Sequence, residues 1–100
     1  FVSRSDITHV EAQGDYARLH TATDSHLVRI PLSTLEEEWA AAGFVRIHRS
    51  LLVSLAHVTR VRMDAGRCTV QVATSPEVEL LVSRRHTREL RELLVRRAGS

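Results

Sequence analysis

Apolar residues in this chain recur at every second position, in short runs cut by Gly, Asp, Ser and Pro. That is the period of a strand, whose successive side chains point to opposite faces, and not the longer period of a helix. The clearest run is Arg67 to Ala73, where Cys68, Val70 and Val72 face one way. Tyr16 to Thr21 repeats the pattern, with Ala17 and Leu19 on one face and Tyr16, Arg18 and His20 on the other. His57 to Met63 alternates too, Val58 and Arg60 opposing Thr59, Val61 and Met63. Ile7–Ala12, His26–Ile30, Phe44–Ile47, Leu51–Leu55 and Glu77–Val82 complete about eight expected strands. Gln13-Gly14-Asp15, Thr23-Asp24-Ser25, Asp64-Ala65-Gly66 and Ser75-Pro76 carry the residues that turn a chain.

Two segments break the pattern. Leu35, Trp39 and Ala42 share a helical face, and a helix is expected over about residues 32–42. Ser33 would cap it, with Glu36 closing a capping box, the acids Glu36 to Glu38 near its positive end and Gly43 as its stop. A second helix is expected over about residues 84–97, capped by Ser83, with Leu90, Leu93 and Leu94 inward and Arg outward.

One hundred residues, 43% apolar and 26% charged, make one ordinary globular domain. The longest apolar stretch, Trp39 to Val45, is far short of the roughly 18 residues of a membrane span, so no membrane contact is expected. The chain opens on Phe1 without an initiating Met, and is read as a segment of a longer protein. A single Cys68 excludes an internal disulfide and a multi-cysteine zinc site, and makes the cytoplasm the expected compartment.

Catalysis finds little footing. There is no P-loop, GxSxG, HExxH or CxxC. The triplet Glu36-Glu37-Glu38 is explained by a helix's first turn. His9 and His20 can face each other across the first hairpin, and His26 could join them, but no metal-ligand spacing supports the group. No cofactor is expected.

The basic residues say more. All 14 are Arg, and their distribution is uneven. Trp39 to Met63 holds Arg46, Arg49, Arg60 and Arg62 with no acid, and Ser83 to Ser100 holds six Arg against Glu89 and Glu92. Segregated charge of this kind predicts one basic face. Arg46-Ile-His48-Arg49-Ser50 lies where two strands must turn. Ser83-Arg84-Arg85-His86 joins a strand to a helix start, where backbone N–H groups add to phosphate binding. Gln13-Gly14-Asp15-Tyr16 is a third polar tip. Single-stranded nucleic acid is the poorer partner, because it needs exposed aromatics and only Phe1, Tyr16, Trp39 and Phe44 are present.

Four pieces in order carry a family resemblance: Gly14-Asp15-Tyr16-Ala-Arg-Leu-His20, Pro31-Leu32, Gly43-Phe44-Val-Arg46-Ile-His48-Arg49-Ser50-Leu-Leu-Val53 and Val82-Ser83-Arg84-Arg85. From about Ile7 to Leu94 the chain resembles the LytTR-type DNA-binding domain, the output domain of bacterial response regulators and other transcription factors. The resemblance implies a mainly β fold, an elongated sandwich of small, mostly antiparallel sheets with the two helices. It implies sequence-specific binding of double-stranded DNA at promoter direct repeats, by loops entering successive major grooves. It further implies an N-terminal regulatory domain in the parent chain, through which two copies could pair.

Carried onto this sequence, the first reader is Gln13, Asp15 and Tyr16. The middle reader is His48, Arg49 and Ser50, and the last is Arg84 with Arg85. Arg84 is the expected guanine contact, and Arg49 suits groove shape or a phosphate. Arg46, Ser50 and Ser83 are expected to position phosphates, the alternatives being a structural ion pair for Arg46, a turn-orienting hydrogen bond for His48 and packing on the hairpin face for Tyr16. Five to eight such contacts would give a log–log salt slope of roughly −5 to −7. Leu51 and Ser54 depart from the family, which often has an aromatic and an Asn there. A different function class stays open beside this one: a protein-interaction or dimerisation module using the Arg-rich last helix.

Overall fold

A computed structural model describes residues 2–99, with side chains through Arg96. Phe1 and the Arg97 side chain lie outside the described residues. The eight strands are β1 (His9–Gln13), β2 (Tyr16–His20), β3 (Ser25–Val28), β4 (Phe44–His48), β5 (Leu51–Ser54), β6 (Val58–Asp64), β7 (Arg67–Val72) and β8 (Val78–Val82). The helices are α1 (Leu32–Glu38) and α2 (Arg84–Gly99). A five-stranded sheet runs β3-β2-β1-β5-β4, and a three-stranded sheet runs β6-β7-β8. Every neighbouring pair is antiparallel.

The large sheet is covered on both faces. On one face Val10, Ala17, Leu19, Phe44 and Leu52 bury against Leu32 and Leu35 of α1. On the other, Ile47 and Val53 bury against Cys68, Val70, Val72 and Val82 of the small sheet and Leu90 of α2. Neighbours Leu52 and Val53 thus enter opposite cores, as strand alternation requires. Leu90 is fully buried, and Leu93 and Leu94 pack half-buried beside it. Burial on that scale is worth about 1.5–3 kcal/mol for Leu90. Burial also pushes the Cys68 thiol up, which keeps it protonated and inert.

Three expectations need correction. The first helix begins at Leu32 with Pro31, not Ser33, at its cap position, and no side chain caps it. Starting there lets Leu32 and Leu35 bury together, three residues apart on one face. Second, Glu36 to Glu38 fall in its last turn, and Trp39 leaves the helical region at φ −105°, ψ 7°. A separate 3₁₀ turn, Ala40–Ala42, carries the chain to Gly43, whose φ of 88° ends it in the left-handed region. Third, a bulge between Val58 and Arg60 shifts the register of β6. Val58 and Val61 therefore both pack on the core, although strict alternation separates them.

Candidate nucleic-acid interface

Antiparallel pairing puts alternate turns of the large sheet at the same end. Gln13 pairs with Tyr16 across a two-residue turn, in which only Gly14 takes a positive φ, of 62°. That is the arrangement of a tight hairpin turn with Gly first. Glu11 pairs with Leu51, so the β4–β5 turn, which holds Arg49 and Ser50, lies beside the β1–β2 turn. A backbone bond of 2.9 Å from the Ala12 N–H to the Ser50 carbonyl ties the two together. On the other side, the Ser83 N–H donates to the Ile47 carbonyl at 2.8 Å. The start of α2 is thereby fixed to the same turn. The three clusters picked from the sequence are neighbours, with the middle turn as hub.

Within the hub the side chains are ordered by local bonds. The Ser50 N–H donates to His48 Nδ1 at 3.2 Å, and the Ser50 hydroxyl lies 2.9 Å from the same nitrogen. Accepting at Nδ1 leaves the His48 proton on Nε2. A β-bulge between Arg46 and His48 gives the turn its bend. Ser83 does not cap α2 with its hydroxyl; that group lies 2.6 Å from His86 Nδ1, while its carbonyl takes the His86 and Thr87 N–H groups.

The arginines divide into engaged and free. Arg46 lies on the α1 face of β4, 20% exposed, and forms a 2.7 Å ion pair with Glu36. It also donates to the His48 carbonyl at 2.9 Å and to the Arg49 carbonyl. Arg49, Arg84 and Arg85 are exposed, and among the described residues the ion pairs involve other groups. A cleft of about 270 Å³ is lined by Glu36, Arg46, Arg49, Arg85 and His86. Arg85 thus joins Arg49 there. Arg84 instead borders a groove along α2 with Thr87, Arg88 and Arg91. Tyr16 is 41% exposed at the first tip.

Arg29 joins the site without having been picked out, and His86, the last residue of the Ser83–His86 cluster, gains a specific place in it. Arg29 shares a hollow with Gly14, Asp15, Pro31 and Leu32. Its signal was pairing: β3 runs antiparallel to β2 with Ala17 opposite Val28, so the next residue flanks the first tip. His86 enters through its bond to Ser83, a contact three residues apart at a helix start.

At the large sheet's small-sheet face, His9 and His20 sit directly opposite one another. Their rings stack at 4.2 Å with 1° between planes. His26 does not join them, because Leu19 is its partner and Ser25 pairs with His20. Among the described residues no group of three or more His, Cys, Asp or Glu is placed to hold a metal ion. Nor is any described helix long and apolar enough to cross a membrane.

The LytTr DNA-binding domain profile matches residues 1–95. The chain is 32% identical over 94 residues to the CO-responsive transcriptional regulator RcoM of Rhodospirillum rubrum, covering 94% of this chain and 40% of that protein. It is 31% identical to the heme-containing CO-sensing transcriptional regulator RcoM 1 of Paraburkholderia xenovorans, over 89% of this chain and 33% of that protein. The sensory transduction protein LytT of Bacillus anthracis matches at 26%, over 93% of this chain and 37% of LytT. The chain thus spans less than half the length of each of these relatives. In fold it superposes with a TM-score of 0.80 on a LytTr DNA-binding domain from Bacillus cereus, at 22% identity, covering 93% of this chain and 84% of that one. Fold and profile together define a DNA-binding domain of transcription regulators. The chain belongs to the LytTR DNA-binding domain family.

Proposed function

We propose that this domain reads specific duplex DNA with the two turns and the helix start at one end of its large sheet. The observation that carries the reading is their physical connection. Backbone bonds at Ala12–Ser50 and Ser83–Ile47 hold all three clusters in a fixed relation. A rigid set of tips suits readout, because groups already in place lose little freedom on binding. Arg84 is proposed to take a guanine edge, and Arg49 and Arg85 to meet backbone or groove from their shared cleft. The His48 Nε2–H, Ser50 and Ser83 supply shorter-range donors to phosphate. Gln13, Asp15 and Tyr16 form the tip for a neighbouring groove.

The relatives are a CO-responsive regulator and a sensory transduction protein, both longer than the matched stretch. The same role fits this chain as the cytoplasmic output of a regulator whose other domain senses a signal and pairs two copies on direct repeats. The test is selection from random duplex DNA at low and moderate salt, followed by Arg84→Ala and Arg85→Ala on the motif found. Two short half-sites about one helical turn apart are expected, with Arg84→Ala relaxing preference at one base pair by roughly 1–3 kcal/mol. A pool that stays random at both salts overturns the reading. If preference is lost through Arg85→Ala alone, the guanine assignment to Arg84 falls.

One observation favours a second role for α2. Val95 stands 71% exposed on the groove that Arg84, Arg88 and Arg91 border, an apolar residue unspent by the core. Sedimentation of the chain with and without Val95→Glu would detect self-association there.

A further inference from the structure

We propose that the Arg46–Glu36 pair is a strut that sets the middle turn, so that Arg46 governs DNA recognition by position and not by meeting a phosphate. The inference rests on the DNA-reading proposal above and assigns a part within it. Arg46 is one of the fourteen cations that a charge count offers to DNA. Each of its three nitrogens already holds an acceptor, which engages three of the five N–H donors and fixes the plane of the fork. Nε holds the His48 carbonyl at 2.9 Å, Nη1 holds the Glu36 carboxylate at 2.7 Å, and Nη2 holds the Arg49 carbonyl. The planar fork reaches three acceptors in fixed directions, which a Lys ammonium on its flexible stem cannot reproduce.

The placement explains what the fold otherwise leaves odd. A bulge lies between Arg46 and His48, and a bulge leaves backbone groups without ladder partners. Arg46 takes up two carbonyls there, at the residues that carry the His48 and Arg49 side chains. With its carbonyl gripped from behind, Arg49 stands exposed in front. Glu36 is the anchor. It sits in the last turn of α1, where the helix dipole disfavours an acid, and the ion pair with Arg46 offsets that. The strut therefore ties α1 to the turn across the large sheet's edge strand β4. Through the Ala12–Ser50 and Ser83–Ile47 bonds the other two readers feel the same constraint.

Electrostatics and positioning predict opposite signs for one substitution. Glu36→Ala removes a negative charge beside the DNA-facing cleft, so simple attraction would tighten binding to every duplex. If the strut matters, the same change loosens the turn and weakens binding to the selected duplex. The experiment uses this chain with Glu36→Ala, Arg46→Lys, Arg46→Gln and the Glu36→Ala/Arg46→Gln double variant. Affinities are measured across salt for the selected duplex and a scrambled one, with thermal midpoints alongside.

Each single variant is expected to lose about tenfold on the selected duplex, the scale of hydrogen bonds to a charged group. The salt slope should stay unchanged, and the double variant should be no worse than Arg46→Gln, because one linkage is broken once. Scrambled duplex should bind Glu36→Ala as well as before or better. Three results overturn the proposal: wild-type affinity in Arg46→Lys, a salt slope shallower by about 0.9 in Arg46→Gln, or tighter selected binding in Glu36→Ala. Should the unsubstituted chain select no duplex, the DNA-reading proposal fails on its own. The strut is then judged in the unbound protein by amide exchange at Ala12 and Ser50. Faster exchange in Glu36→Ala supports it, and unchanged exchange refutes it.

Discussion

His9 is 4% exposed, stacked on His20 and 2.9 Å from the Thr8 hydroxyl. Burial first, and the charge of a protonated His20 second, lower its pKa from 6.5 to about 4. A buried ring that resists protonation makes stability depend on pH. The unfolded chain binds a proton at His9 below its ordinary pKa, and the folded chain does not until near 4. Stability is therefore complete above about pH 6.5 and falls as pH drops toward 4. His20 lies 3.4 Å from Glu11, the one carboxylate paired with either ring among the described residues. The expected loss between pH 8 and pH 5 is about 2 kcal/mol. Urea unfolding at both pH values reads it, and in His9→Gln most of the difference should vanish. An equal loss in that variant would show that another group carries the effect. The sequence did reveal this pair, through hairpin register. It did not reveal Arg46's partners, since Glu36 is ten positions away on another element.

The β6–β7 hairpin turns through Ala65 and Gly66, with φ of 50° and 79°. Both central residues of such a turn need a positive φ, which Gly or Asn accepts readily and Ala only at a cost of roughly 1–2 kcal/mol. Ala65→Asn should raise stability by about 1 kcal/mol, read from the urea midpoint with an unchanged slope. No gain would mean that the turn relaxes to another form in solution. The hairpin also shows what a sequence makes legible at this scale. Strand periodicity and turn residues located all eight strands, because each signal is local to its own run. The small sheet's inward set, Cys68, Val70 and Val72, followed from alternation alone. β6 broke the rule because a bulge inserts one residue, and nothing in Val58-Thr-Arg-Val61 marks which residue is extra. The cap of α1 was misplaced for a related reason. Ser33 and Glu36 satisfy a local capping pattern, but Pro31 takes the cap position, Leu32 is buried in the first turn, and Glu36 is claimed by Arg46. At the candidate interface the three clusters were legible and their neighbourhood was not. Arg29 joins the first tip only through the β2–β3 register, and Arg85 meets Arg49 only because β8 ends beside β4.

On the scale of the molecule, a formal net charge of +2 hides an end that is far more basic than the whole. Arg29, Arg49, Arg84 and Arg85 stand exposed on its tips, with Arg88 and Arg91 farther along α2. Glu37 and Glu38 are exposed on α1, and Arg46 is neutralised by Glu36. The count of cations available to phosphates is therefore smaller than the sequence suggests. Each neutralised phosphate contributes about −0.9 to the slope of log affinity against log salt. Four tip arginines with one or two from α2 give about −4.5 to −5.5, the shallow end of the roughly −5 to −7 expected from five to eight contacts. Titration of the selected duplex between about 50 and 200 mM salt measures the slope. A value near −4 confines the contact to the tips, and Arg88→Ala should then leave it unchanged. A value near −5 or steeper brings the α2 groove onto the duplex, and Arg88→Ala or Arg91→Ala should each make the slope shallower by about 0.9. A slope near zero would remove the phosphate contacts altogether, and with them the charge argument for this end of the sheet as the interface.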